Sequence, residues 1–147
     1  PKERGLALLF VGPPRDTDPL NGQREVSAPS AHPILAEESC QTEADVARCA
    51  EYFHGINIKV VKCGGLLPAR RMIAEARQLN LQVMAGCMTE SSVGISAIAQ
   101  LLPELDYADL DGAMLLAHDP AKGVTFNPVT GFANYPEGAG TGVVLMD

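Results

Sequence analysis

Five charged residues in this chain have the types and spacing to handle protons and cations. Glu37 and Glu38 close the apolar run 34–36, Lys59 lies within the apolar run 56–61, and Asp109 and Asp111 flank Leu110. A lysine withdrawn from water is a candidate acid or base, and a carboxylate beside it holds its charge or a bound cation. Asp109 and Asp111 stand at i and i+2, which on a strand puts both carboxylates on one face. Two such groups repel unless a cation sits between them. The alternative is a solvated pair at a strand end.

These residues need elements that bring them together. Predicted strands begin near Ile34, Ile56, Leu81 and Ala108, at a pitch of about 25 residues. The segments between them read as amphipathic helices. The first has Thr42 as N-cap with Asp45 at the third helical position, followed by the stripe Val46, Cys49, Ala50, Phe53. In the second, Pro68 suits the first turn, with Ala69, Met72, Ile73 and Ala76 as the stripe. The third opens at Ser91 or Ser92 and carries Ile95, Ile98, Ala99 and Leu102. Strand alternating with helix at this pitch predicts an α/β fold with a parallel sheet, and a barrel of such units gathers its strand ends at one mouth. Strand alternation then points Leu35, Glu37, Asn57, Lys59 and Val61 inward, with Ile34, Ala36, Ile58 and Val60 toward the helices.

The ends of the chain are less regular. Residues 5–11 form an apolar strand candidate ending at Gly12-Pro13-Pro14, and a short helix is expected over 20–27. From Asp119 the pattern changes: 123–127 and 142–146 read as short strands, with Gly131, Gly138 and Gly140 at turns. The expected division is residues 1–118 as a partial barrel and 119–147 as a small β-rich extension.

Composition narrows the function classes. A chain of 147 residues makes one ordinary domain, short of the roughly 250 residues of a whole eight-stranded barrel. A formal net charge of −7 argues against nucleic acid, whose phosphates require clustered lysine and arginine. No apolar run approaches the roughly 18 residues of a membrane span, and Pro1 to Arg4 does not resemble the start of a signal peptide. Cys40, Cys49, Cys63 and Cys87 have no CxxC spacing, and His32, His54 and His118 are scattered. Free buried thiols in a reducing cytoplasm are expected, rather than disulfides or zinc.

AEES (36–39), NIKVVKCGG (57–65), GCMTESSVG (86–94) and DLDGAMLL (109–116), in this order and spacing, resemble the C-terminal half of the barrel in dipeptide epimerases of the enolase superfamily, muconate-cycloisomerase subgroup. The resemblance runs from about residue 6 to residue 144. It implies a (β/α)7β barrel with an α+β capping domain, Mg²⁺ held by three carboxylates on successive strands, and two lysines exchanging the α-proton of a dipeptide. Residue by residue, Lys59 matches the second acid/base lysine, on the sixth strand. Glu37 matches the third metal ligand, an aspartate in the family, and Glu38 the acidic residue after it. Asp109 and Asp111 match the pair that receives the dipeptide ammonium group, and Cys87, Met88 and Thr89 match the pocket wall at the end of the seventh strand. Val11 falls where the family has its second metal ligand, a glutamate. The first metal ligand, the first lysine and the capping domain correspond to sequence before residue 1. The extension 119–147 is expected to pack toward the position of that capping domain.

On this resemblance the chain is the C-terminal barrel part of a Mg²⁺-dependent dipeptide epimerase or racemase, impaired when isolated. Its partners are a small dipeptide and either a second copy or a complementing N-terminal half. Two other readings stay open: a non-catalytic half-barrel that self-associates, and a fragment of a cycloisomerase or o-succinylbenzoate synthase of the same superfamily.

Overall fold

The computed structural model describes residues 9–11, 33–127 and 129–146. Five strands, β1 (Leu9–Val11), β2 (Ile34–Ala36), β3 (Gly55–Ile58), β4 (Gln82–Gly86) and β5 (Tyr107–Asp109), form one parallel sheet in chain order. α1 (Glu43–Cys49) joins β2 to β3, and α2 (Val60–Cys63) with α3 (Leu66–Gln78) joins β3 to β4. α4 (Ser92–Ala99) and a 3₁₀ turn at Leu102–Glu104 lead to β5. Every strand pairs with its successor, so the sheet never reverses direction as a doubly wound sheet does at its switch point. A singly wound sheet is the wall of a β/α barrel, here a partial one, and its strand ends open on one mouth. The helix expected over 20–27 lies outside the described residues.

Alternation along each strand divides the sheet. Ile34, Ala36, Ile56, Ile58, Val83 and Ala85 pack with the helices in one core, against Val46 and Cys49 of α1, Ala69, Met72, Ile73 and Ala76 of α3, and Ile95, Ile98 and Ala99 of α4. Each fully buried aliphatic side chain contributes about 1.5–3 kcal/mol of transfer free energy. Leu35, Asn57 and Met84 alternate with these and are also buried, but lie outside that cluster. Phe53 is buried although α1 stops at Cys49, and Leu102 packs from the 3₁₀ turn.

The helix starts follow local chemistry. The Asp45 carboxylate accepts from the Thr42 N–H and hydroxyl, both at 2.9 Å, and from the Gln41 N–H at 3.1 Å, which closes the first turn of α1. Burial works against its ionisation, but these donors and Arg48 hold the carboxyl below its ordinary range. Ser91 stands at the N-cap position of α4 in extended backbone without a side-chain capping bond, and Ser92 donates through its N–H and hydroxyl to Asp119, at 2.9 and 2.6 Å.

Those last bonds also anchor the C-terminal segment. Val124 N–H donates to Ser96 Oγ at 2.8 Å, and the Tyr135 hydroxyl donates to Ala99 O at 2.6 Å. The strands expected at 123–127 and 142–146 are shorter, β7 (Thr125–Phe126) and β9 (Val144–Leu145). Their antiparallel partners, β8 (Ala133–Asn134) and β6 (Ala121–Lys122), were not foreseen, because two residues carry no readable period. All four cysteines are free, and no helix among the described residues is long and apolar enough to cross a membrane.

Candidate functional site

The carboxyl ends of β2 to β5 bring the chemically distinctive residues together. Lys59 is not within β3, as expected; the strand stops at Ile58 and Lys59 is the N-cap of α2. The chain turns there because the Lys59 carbonyl accepts from the N–H groups of Lys62 and Cys63, at 2.9 and 3.0 Å. One consequence is a correction for Val61, which sits on α2 and is exposed rather than inward. The Lys59 side chain, by contrast, is only 10% exposed, and Nζ lies 2.9 Å from Glu37 Oε1 and 3.0 Å from the carbonyl of Cys87. A charge so far from water is tolerated only when paired and hydrogen-bonded. Beside it, Lys62 Nζ contacts both Glu38 oxygens, at 2.7 and 2.6 Å.

Gly86 makes the placement of Lys59 feasible. Continuing the β3–β4 register by one residue sets Lys59 beside Gly86, and a Cβ at Gly86 would lie 2.8 Å from Lys59 Nζ. That same point is 3.0 Å from both amide atoms of Asn57. Asn57 is 1% exposed, and among the described residues its Oδ1 and Nδ2 are the buried side-chain atoms with no hydrogen-bond partner. Leaving such a group unsatisfied costs about 1–3 kcal/mol. Alternation had placed Asn57 inward without a role. The missed signal was a polar residue in the middle of a strand whose other residues are apolar or glycine.

The opposite side is built around Cys87, Asp109 and Asp111, whose ligand atoms lie within 4.8 Å of one another. Asp109 ends β5, but Asp111 lies past the strand, at the start of the 3₁₀ turn Gly112–Leu115. The shared face expected from strand alternation is therefore made by a turn. Gly112 permits it, since a Cβ there would meet the Met88 carbonyl oxygen, and its N–H donates to Cys87 Sγ at 3.2 Å. Burial raises the Cys87 thiol above its usual range; the Gly112 N–H opposes this, and the Asp109, Asp111 and Glu90 charges add to it. The thiol is thus a protonated wall rather than a nucleophile. Met88 and Thr89 follow β4 and are exposed at the rim, as are both aspartates. Val11 ends β1, its backbone paired with Ala36.

Residues 5–147 match the enolase C-terminal domain-like family. The chain belongs to this family. It is 54% identical, over 141 residues, to an L-Ala-D/L-amino acid epimerase of Flavobacterium johnsoniae, covering 96% of this chain but 41% of that protein. Among solved structures it is similar to a mandelate racemase/muconate lactonizing protein from Herpetosiphon aurantiacus, with TM-score 0.80, 32% identity, and coverage of 95% of this chain and 40% of the other. It is also similar to a dipeptide epimerase from Methylococcus capsulatus complexed with Mg and L-Arg-D-Lys, with TM-score 0.70, 37% identity, and coverage of 76% and 33%. The chain thus spans about two fifths of the length of its relatives, and its parallel sheet is the corresponding part of an α/β barrel.

Proposed function

We propose that this chain supplies one wall of a dipeptide epimerase site, with Lys59 as proton carrier to the carbon α to a carbonyl. The observation that carries this is Lys59 Nζ itself, held at the strand ends by Glu37 and the Cys87 carbonyl, two strands from a pair of exposed carboxylates. Asp109 and Asp111 receive the dipeptide ammonium group, whose positive charge offsets their mutual repulsion. Cys87, Met88 and Thr89 line the peptide between the two.

Magnesium fits this chain poorly by itself. Mg²⁺ demands near-octahedral oxygen ligands at about 2.0–2.1 Å. Among the described residues the one grouping of three ligand atoms is Cys87, Asp109 and Asp111, which includes a thiol, and Glu37 and Glu38 are each committed to a lysine. No step is therefore assigned to the ion here. A single lysine also serves one face of a planar intermediate, so inversion requires a second base from outside the described residues.

Two measurements test the reading. Titration with an Ala-Glu-type dipeptide is expected to show binding that Asp109→Asn and Asp111→Asn abolish; binding indifferent to both would sink the assignment. Deuterium wash-in at the dipeptide α-carbon is expected to be absent for the chain alone. Wash-in that needs Mg²⁺ and disappears in Lys59→Ala would show that this chain alone is competent, and overturn the impaired half-site.

A second reading, self-association, is favoured by the apolar side chains on the β5 side and in the C-terminal segment. Met114, Leu115, Phe132, Val144 and Leu145 are all exposed. Light scattering that shows a monomer at high concentration would remove it.

A further inference from the structure

Asn57 is buried, sits two residues before Lys59, and is left without a partner where strand interiors ordinarily satisfy every polar atom. We propose that Asn57 is a positioning residue for Lys59: its amide oxygen accepts the Lys59 ammonium when Glu37 releases it. The inference deepens the reading of Lys59 as proton carrier and rests on it.

Three observations support the pairing. The lysine and the amide approach one another across the space that Gly86 leaves open, each within 3.0 Å of the point a Cβ would occupy there. Lys59 has three N–H donors, of which Glu37 and the Cys87 carbonyl take two. Glu37, 22% exposed against 10% for Lys59, is the partner that an incoming charged group can reach and draw away, and an ammonium group left with one carbonyl in a site this buried is poorly held. An acceptor already waiting, and bound to nothing else, keeps Nζ at the mouth without a rearrangement of the sheet.

The role is separable from packing. A structural asparagine loses stability when replaced, whereas here nearly isosteric leucine removes a bare amide and should melt higher by about 2–8 °C. Solvent exchange of the Lys59 ammonium protons, read by ¹⁵N NMR on the chain as it stands, reports the pairing directly. Asn57→Leu alone should change exchange less than about twofold, since Glu37 and the carbonyl still hold the group. Glu37→Gln alone should stay slow, because Asn57 takes over. Adding Asn57→Leu to Glu37→Gln should accelerate exchange at least about tenfold. If the leucine double variant does not fold, Asn57→Ser in the same background is expected to move in the same direction. Exchange in the double variant no faster than in Glu37→Gln, or an Asn57→Leu protein melting lower by several degrees, overturns the proposal. Neither readout needs turnover, so loss of dipeptide binding in a protein that shows the exchange pattern would refute the epimerase reading and leave this pairing standing.

Discussion

The two walls of the mouth meet their charge in opposite ways. At the ends of β2 and β3, two glutamates face two lysines, and Lys59 and Glu37 are largely withdrawn from water. At the end of β5, Asp109 and Asp111 are exposed, have no ion pair among the described residues, and press against a neutral thiol. The charges of the first wall are neutralised internally, so the resting position of Lys59 is set before anything binds. The second keeps its negative charge open to solvent. Internally neutralised charge and solvent-exposed charge are thus divided between β2–β3 and β5 of one sheet, with β4 between them.

The largest expected effect breaks the first wall. Lys59→Ala leaves the Glu37 carboxylate without its cation and should lower unfolding free energy by about 1–3 kcal/mol, below the range for fully buried pairs because Glu37 retains some solvent. Denaturant titration checks this, and a change under about 0.5 kcal/mol would mean the pair adds nothing beyond an ordinary surface contact.

On the second wall the same treatment should cost binding rather than stability. The double substitution Asp109→Asn and Asp111→Asn is expected to shift unfolding free energy by no more than about 0.5 kcal/mol. Dipeptide affinity should fall at least about tenfold with the loss of charge-assisted hydrogen bonds. Calorimetry that finds a large stability loss here would erase the contrast.

Gly86→Ala probes the same first wall from the side. The added methyl meets the Lys59 ammonium and the buried Asn57 amide, so a loss of about 1 kcal/mol or more is expected, with the Lys59 ammonium signal displaced. An unmoved Lys59 signal would show that the space beside Gly86 is not what seats it.

The smallest effect sharpens the second wall. Because burial and the flanking carboxylates raise the Cys87 thiol, its thiolate fraction near neutral pH is below that of a free cysteine, and alkylation should be slow and climb with pH. Neutralising Asp109 and Asp111 removes the repulsive part and should speed alkylation several-fold at fixed pH. Unchanged rates would assign the shift to burial alone.

Much of this architecture is legible in local patterns. The stripes on α1, α3 and α4, the Thr42–Asp45 cap and the Ser91 N-cap position each lie within a few residues, so the sequence carries them whole. The strands follow for the same reason, since the short apolar runs around 56–58 and 83–85 need no distant partner to be read. The two-residue strands of the C-terminal segment escaped because their pairing, not their composition, defines them. Lys59 was misplaced by one residue for a related reason: the apolar run 56–61 continues through a strand end that only the hydrogen bonds of α2 reveal.

Residue types and spacing by themselves determined that this chain is a strand–helix repeat, that Glu37 and Lys59 share one end of it, and that the DLD pair is the other chemical landmark. What only the tertiary structure decided is who touches whom. Lys59 donates to Glu37 and to the Cys87 carbonyl just past β4, Asp111 reaches Cys87 through a turn, and Asn57 is left bare beside Gly86. The physical reason is range. Propensity and alternation act between near neighbours in the chain, whereas desolvation and charge pairing depend on distances of about 3–4 Å between residues separated by whole strand–helix units.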